Sequence, residues 1–278
     1  MATNKLGAEA LLRESGGITT LTFPRLADEK ALRHAISTRT GGVSRGNRKS
    51  LNISHKVQDD PSRVEENRTL LSRAVGMDLG KIVYADQVHG ETVLKLDAAN
   101  HPAEGESLGQ GDGIITNEKD IPLMLLVADC LPVLFYDPTH QAVGLAHAGW
   151  RGTVSHVAAK TLMAMGEAYG TRPEEVRAVL GPCIGVCCYE VGADVFREFS
   201  EVFPWAGEIL QKTSADHWKL DLAQANARQL VEIGLKEENL IRSGLCTIRN
   251  NDLFYSHRAE ARESAPTGRF GAFIMLNS

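Results

Sequence analysis

The amino-acid sequence predicts an α/β (α+β) layered sandwich with mixed β-sheets, and three observations predict it. Between residues 112 and 150, four short apolar runs (DGIITN, IPLMLLVADC, PVLFYD and QAVGLAHAGW) follow one another with Asp, Pro and Gly between them, the pattern of strands separated by turns. These runs are apolar at nearly every position rather than at every second one, which marks strands covered on both faces. Segments with helical spacing flank them and can supply that cover.

In chain order, LRHAIST (residues 32–38) reads as a strand. A helix follows over residues 61–76, with Pro61 near its start and Val64, Leu71 and Val75 at helical spacing. KIVYADQVHG (residues 81–90) reads as a strand ending at Gly90. Gly, Pro and Glu then accumulate over residues 100–112, which predicts a surface loop. Beyond the four central strands, helices are expected over residues 153–169, 192–203 and 221–234, with VRAVLGP and the terminal RFGAFIML as further strands. Residues 1–30 form an N-terminal extension in this reading and residues 31–278 a single domain. Strand order does not follow from these patterns.

Composition narrows the function. A chain of 278 residues with 43% hydrophobic content buries one large core or two small ones, as an enzyme-sized globular domain does. The longest apolar stretch, around residues 121–127, is far short of the roughly 20 residues a membrane-spanning helix needs, and no basic-then-apolar signal pattern opens the chain. With a formal charge of −5 and its basic residues scattered singly, the chain lacks the cationic stripe that nucleic acid requires. Five cysteines, two of them adjacent, suit a reducing compartment, so a cytoplasmic protein is expected.

Three residues with metal-binding chemistry stand where strand-like runs stop: His89 in QVHG, Cys130 in ADC and His147 in HAGWRG. Side chains at strand ends are held by a rigid sheet yet open onto a cleft. Their separations match neither a helical HExxH site nor a paired CxxC site. Two imidazoles and a thiolate nevertheless make a good three-ligand zinc set that leaves a fourth position open. Spacing alone favours the plainer reading, in which Cys130 is a small buried hydrophobe and both histidines are ordinary hydrogen-bonded residues.

The wording around these residues reverses that preference. TRTGGVS, SLNIS, ENR, QVHG, GDGIIT, ADCLPV, HAGWRGT, GPCIGVCCYEVG and TGRFGAFI closely resemble, in the same order, the peptidoglycan-editing-factor or laccase-domain family, a multicopper polyphenol oxidoreductase type also described as purine nucleoside phosphorylases. The resemblance runs from about Leu32 to the C-terminus. It implies a zinc site at His89, Cys130 and His147, which are also the catalytic centre, with copper the lesser alternative. It further implies a cytosolic enzyme that splits adenosine, inosine and methylthioadenosine with phosphate and deaminates adenosine. The implied fold is laccase-domain-like, similar to that of certain Cys-His deamidating (CNF-type) toxins. A zinc ion can lower the pKa of bound water to about 7, which suits attack at the purine C6.

Phosphorolysis needs an anion held beneath the ribose, and an arginine's planar fork grips phosphate well. Arg39, Arg68 and Arg151 are the candidates, with Asn52 and Gln87 for ribose hydroxyls or a purine edge; each arginine is equally readable as a loop clamp. Asp112 or Asp129 could orient a ligand histidine through its second nitrogen, although Asp129, next to Cys130, should point away from it. Gly41, Gly42, Gly149 and Gly152 allow turns or close backbone approach. Cys183, Cys187 and Cys188 read as buried thiols, since the resemblance assigns no ligands there. FYSHRAE departs from the family's arginine pair by placing His257 before Arg258.

Three other readings compete. A Cys-His hydrolase or amidase editing peptidoglycan precursors would use Cys130 as nucleophile and His147 as base. A copper polyphenol oxidase shares the two-His, one-Cys set, but no His-x-His pair occurs among the nine histidines. A metal-stabilised binding module would show a closed site and no turnover. Walker and GxGxxG sequences are absent, so ATP and dinucleotides are not indicated.

Overall fold

The computed structural model describes residues 3–6, 9–27, 30–260 and 266–278. The chain begins with β1 (Thr3–Leu6), β2 (Ala10–Ser15), β3 (Ile18–Thr22), α1 (Pro24–Ala27), β4 (Leu32–Ser37) and α2 (Pro61–Val75). There follow β5 (Val83–Tyr84), β6 (Val93–Lys95), β7 (Gly113–Thr116), β8 (Leu123–Val127), β9 (Leu131–Asp137) and β10 (Ala142–Ala148), then α3 (Trp150–Val154) and α4 (Val157–Tyr169). The last third supplies β11 (Arg177–Leu180), β12 (Glu190–Gly192), α5 (Ala193–Val202), α6 (Ala206–Ile209), β13 (Leu210–Lys212), β14 (His217–Leu220), α7 (Leu222–Glu232), β15 (Leu240–Arg242), α8 (His257–Glu260) and β16 (Phe270–Leu276).

Two large mixed sheets lie face to face. One has the order β1-β2-β3-β4-β16-β8-β5 and the other β15-β11-β9-β10-β7-β6, while β12-β14-β13 form a small third sheet. The first two thus carry parallel pairs at their edges, β5 with β8, β6 with β7 and β11 with β15, among otherwise antiparallel ladders. Residues 1–30 contribute strands to the first sheet, because β3 pairs with β4 through Thr20 opposite Ser37 and Leu21 opposite Ile36.

The continuous apolarity of the central strands follows from period-two alternation between two covered faces. On β8, Leu123, Leu125 and Val127 enter the core between the large sheets, where they meet Leu134 and Tyr136 of β9 and Leu145 of β10. Met124 of β8 and Phe273 of β16 point to the opposite face, covered by Leu71 of α2 and by Leu51 and Ile53. On β9, Val133 and Phe135 face the outer layer built by α4, α5, α7 and the third sheet. The layered α/β sandwich expected from the sequence is therefore present.

Local signals set the helix ends. Asp60 caps α2 by accepting the Ser62 N–H, Pro61 takes the first turn where its missing donor costs nothing, and Gly76 ends the helix at φ 65°. The helix expected over residues 153–169 is instead two, α3 and α4, broken at Ser155 and at His156, whose φ of 62° leaves the helical region. Two strand expectations also shorten. Only Val83–Tyr84 of KIVYADQVHG is strand, and IPLMLLVADC leaves the sheet after Val127. His89 (φ 59°) and Asp129 (φ 88°) turn the chain there, so the segments carrying the candidates His89 and Cys130 are bends rather than straight strand ends. No helix among the described residues is long and apolar enough to cross a membrane.

One buried base makes the fold sensitive to acid. His34 of β4 is buried, its Nε2 accepts the Phe23 N–H at 2.9 Å, and burial, assisted by the Arg13 charge, lowers its pKa from 6.5 to about 4. Between those values the unfolded chain takes up a proton that the folded chain refuses. Stability therefore falls as pH drops from about 6.5 towards 4, by on the order of 3 kcal/mol at full effect. Urea titrations from pH 4 to 8 check this. His34→Gln, which keeps an acceptor but cannot titrate, should flatten the dependence in that window, and an unaltered slope would show that other groups govern it.

Candidate metal centre and its cavity

The three ligand candidates come together at one end of the sheets, two from bends and one from a strand. His147 is the penultimate residue of β10, opposite Pro132 of β9. Cys130 immediately precedes β9, and His89 lies in the bend after β5. One nitrogen of each histidine and the Cys130 Sγ all fall within 4.8 Å of one another. The His89 and His147 rings meet edge to face at 4.9 Å between centroids. The trio passes from exposed His89 through half-buried Cys130 to buried His147, so it is open to solvent from one side.

Asp112 holds the arrangement together. Its buried carboxylate accepts the backbone N–H of Val88, His89 and Gly90 at 3.2, 3.1 and 2.7 Å, which pins the left-handed bend that presents His89. The same carboxylate accepts the His147 Nδ1–H at 2.8 Å, which turns Nε2 towards the trio and fixes the tautomer a metal ligand needs. Burial opposes the Asp112 charge, but His147 and the backbone donors outweigh it and hold the carboxyl below its usual range. Of the two aspartates weighed as orienting groups, Asp112 has this role. Asp129 turns away, accepting Thr247 Oγ1–H at 2.5 Å and the Arg258 backbone N–H at 2.6 Å.

Electrostatics favour a thiolate–imidazolium pair between Cys130 and His147. Burial would raise the Cys130 thiol, yet the charge and hydrogen bonds of His147 and His89 bring it down to about 6. Burial would likewise lower His147, but the Cys130 charge and Asp112 raise it to about 9. A thiolate is what a metal ligand or a nucleophile must be. Space is also reserved: a Cβ on Gly149 would lie 3.1 Å from Cys130 Sγ and 3.2 Å from His89 Cδ2. The donor set, two imidazoles and a thiolate converging from one side, fits a zinc ion with one position left open.

The trio lines a cavity of about 650 Å³. Met124, Leu126, Ile184 and Leu222 supply apolar wall, and Lys56, Arg68, Arg151, Arg258 and Arg269 bring positive charge. Arg68 is braced by the Ile53 carbonyl at 3.1 Å and Arg269 by those of Thr267 and Gly268 at 2.9 and 3.0 Å. Arg151 is exposed and stacks on Trp150 at 4.4 Å. Gln87 also lines the cavity, but its amide is spent on both backbone groups of Leu126, at 2.8 and 2.9 Å, so it acts as a strut.

Two expected contacts are not brought there. Arg39 donates to the Lys49 and Asn251 carbonyls, pairs with Glu260 at 2.7 Å and lies over the Tyr255 ring, away from the cavity. Asn52 is fully buried and bonded through its amide to Ser54, Asp59 and the Arg269 backbone, which makes it a clamp for its loop. Arg269 was overlooked in the sequence although it stands inside TGRFGAFI, and Arg258 and His257 both reach the cavity wall. The cysteines of GPCIGVCC are not uniformly buried either. Cys183 is buried, Cys188 half-buried and Cys187 exposed.

Comparison with known proteins agrees with the resemblance seen in the motifs. A family model described as multi-copper polyphenol oxidoreductase laccase matches residues 33–277. The purine nucleoside phosphorylase YlmD of Bacillus subtilis is 37% identical over 243 residues, 86% of each chain. A purine nucleoside phosphorylase of Deinococcus radiodurans is 38% identical over 263 residues, 94% of each. Among solved structures, the Bacillus licheniformis hypothetical protein YfiH superposes with a TM-score of 0.87 at 32% identity, covering 96% of this chain and 99% of that one. On sequence and fold alike, the protein belongs to the multi-copper polyphenol oxidoreductase laccase family, whose relatives include proteins named purine nucleoside phosphorylase.

Proposed function

We propose that the protein is a zinc-dependent purine nucleoside enzyme of the cytoplasm. Residues 31–278 form its catalytic unit, which splits adenosine, inosine and methylthioadenosine with phosphate to free base and ribose 1-phosphate and also deaminates adenosine. The observation that carries this reading is the placement of the His89, Cys130 and His147 trio on the wall of a cavity rich in positive charge. Among the described residues lining it, five carry fixed cations and the one carboxylate, Asp129, is committed elsewhere. A phosphate dianion and a flat apolar base are the pair of ligands such a cavity suits. The names of the relatives point the same way.

In this reading His89, Cys130 and His147 hold the ion, which when bound supplies Lewis acidity at the open position. Asp112 keeps His147 aimed. Arg68 and Arg269, already braced by backbone carbonyls, bind phosphate without having to be ordered first. Met124, Leu126 and Ile184 receive the purine and exclude water from its face. Alanine at Arg68 or Arg269 should raise the phosphate KM by roughly 10- to 100-fold, the effect of losing a charge-assisted bond, with kcat less affected. Phosphate saturation curves check it, and unchanged curves for both variants would exclude these residues.

A second reading rests on a specific feature. Cys130, His147 and Asp112 also stand in the order nucleophile, base and orienting carboxylate, with the thiol brought down to about 6, as a Cys-His amidase would use them. Product chromatography separates the two. Zinc-loaded protein is incubated with inosine and adenosine, with and without phosphate, beside a Cys130→Ala control. Phosphate-dependent hypoxanthine and adenine support phosphorolysis, and phosphate-independent inosine from adenosine adds deamination. No change in any nucleoside overturns the proposal and directs the test to amide-bearing peptidoglycan precursors.

A further inference from the structure

A second set of sulfurs lies outside the cavity. Cys187, Cys188 and Cys246 bring their Sγ atoms within 4.8 Å of one another, with Cys187 and Cys188 at 3.5 Å. They come from two loops 58 positions apart that are tied by backbone: Cys183 N–H donates to Leu245 O and Thr247 N–H to Cys183 O, at 3.2 and 3.0 Å. The approach depends on Gly185. A Cβ there would fall 3.0 Å from the Cys246 Cβ and 3.4 Å from both the Cys187 and Cys246 sulfurs.

From these residues we infer a thiolate site for a divalent thiophilic cation of the zinc class, held by Cys187, Cys188 and Cys246 with its fourth position open to solvent. Zinc–sulfur bonds of about 2.3 Å in tetrahedral geometry place sulfurs roughly 3.8 Å apart, so closure on an ion moves them by no more than about 1 Å. At Cys246 the surroundings are those of a thiolate, while burial and the Cys187 contact push the Cys188 thiol up to about 11, so binding of an ion there releases its proton. Backbone N–H groups of Gly185, Ile248 and Arg249 are directed at the Cys246 sulfur, the first at 3.3 Å, and such donors stabilise charge on a ligating sulfur. The Arg249 guanidinium lies against Cys187 and Cys188. Three thiolates, a dication and one guanidinium sum to zero charge, which favours a divalent ion over a monovalent one.

The site has a structural consequence. The segment that carries Cys187 and Cys188 also carries Ile184 and Tyr189, which line the main cavity, and Ile184 N–H donates to the Asp129 carbonyl beside Cys130 at 2.9 Å. An ion at the three sulfurs therefore ties down one wall of the catalytic cavity from outside. It does so whatever reaction the cavity performs.

The test is a cadmium titration of the reduced, metal-stripped full-length chain, followed by native mass spectrometry and by the sulfur-to-metal charge-transfer band. Wild type should take two ions, and Cys130→Ala one. In Cys187→Ser, a change at an exposed position that should not disturb folding, the second ion should bind at least about tenfold more weakly; at a cadmium level that leaves this second site empty, the band should be about one quarter of that of two-ion wild type, since one of four sulfur–metal bonds is then formed. A single ion on wild type, or a second ion bound equally tightly by Cys187→Ser and Cys188→Ser, overturns the inference.

Discussion

Cys130→Ala should lose the ion of the His89, Cys130 and His147 centre and slow turnover of nucleosides by about 10³-fold or more, because the several kcal/mol that a Lewis acid supplies at the transition state disappears with it. Two imidazoles remain after the substitution, and one of them, His89, is exposed, so nothing encloses an ion that His147 alone holds firmly. Folding should survive. Cys130 sits in a bend at the sheet end and is only half-buried, and alanine leaves the β9 ladder intact. Elemental analysis, turnover and a thermal melt on the same preparation check the three statements together. A variant that retains the wild-type number of bound ions and its activity would remove Cys130 from the centre. Cys130→Ser sharpens the comparison, since a hydroxyl of similar shape is a far poorer ligand for zinc than a thiolate.

The second large effect falls on a residue that touches no substrate. Asp112→Ala should destabilise the fold by roughly 3–5 kcal/mol, the range for removing one partner of a buried charged pair. Four donors lose their acceptor at once: the Val88, His89 and Gly90 backbone N–H groups and the His147 Nδ1–H. The positive φ of His89 then has no hydrogen bonds to hold it. Metal affinity should drop as well, by about 10- to 100-fold even in Asp112→Asn, which keeps the shape and loses the charge. Denaturant midpoints and competition with a chelator measure the two effects separately. If Asp112→Asn binds metal as wild type does, the carboxylate is a loop clamp only and its role in aiming His147 is excluded.

Much of the scaffold could be read from local pattern. The apolar runs at β7 to β10 announced strands covered on both sides, and Pro61 with Val64 and Leu71 announced α2. His89, Cys130 and His147 were visible as side chains of metal-ligating type at the ends of such runs, and the structure brings them together. What failed was finer: the chain leaves the sheet before Cys130 and before His89, at residues with positive φ, and neither His nor Asp signals that conformation as glycine would.

The arginines mark the boundary between the two kinds of information. Arg39 and Arg68 both stand in matching motifs and look alike in the sequence, yet Arg68 lines the cavity while Arg39 pairs with Glu260, 221 positions away. The reverse holds for Asp112 and His147, 35 positions apart and joined at 2.8 Å. Periodicity and residue chemistry are properties of a few consecutive side chains, so by itself the sequence determined the layers, the class of chemistry and the three ligand candidates. A charged side chain instead takes the role assigned by whichever partner the distant chain brings within about 3 Å, where the interaction is strong enough to fix it. Which cations face the cavity, which carboxylate aims the histidine, and which sulfurs meet outside were therefore decided only by the tertiary structure.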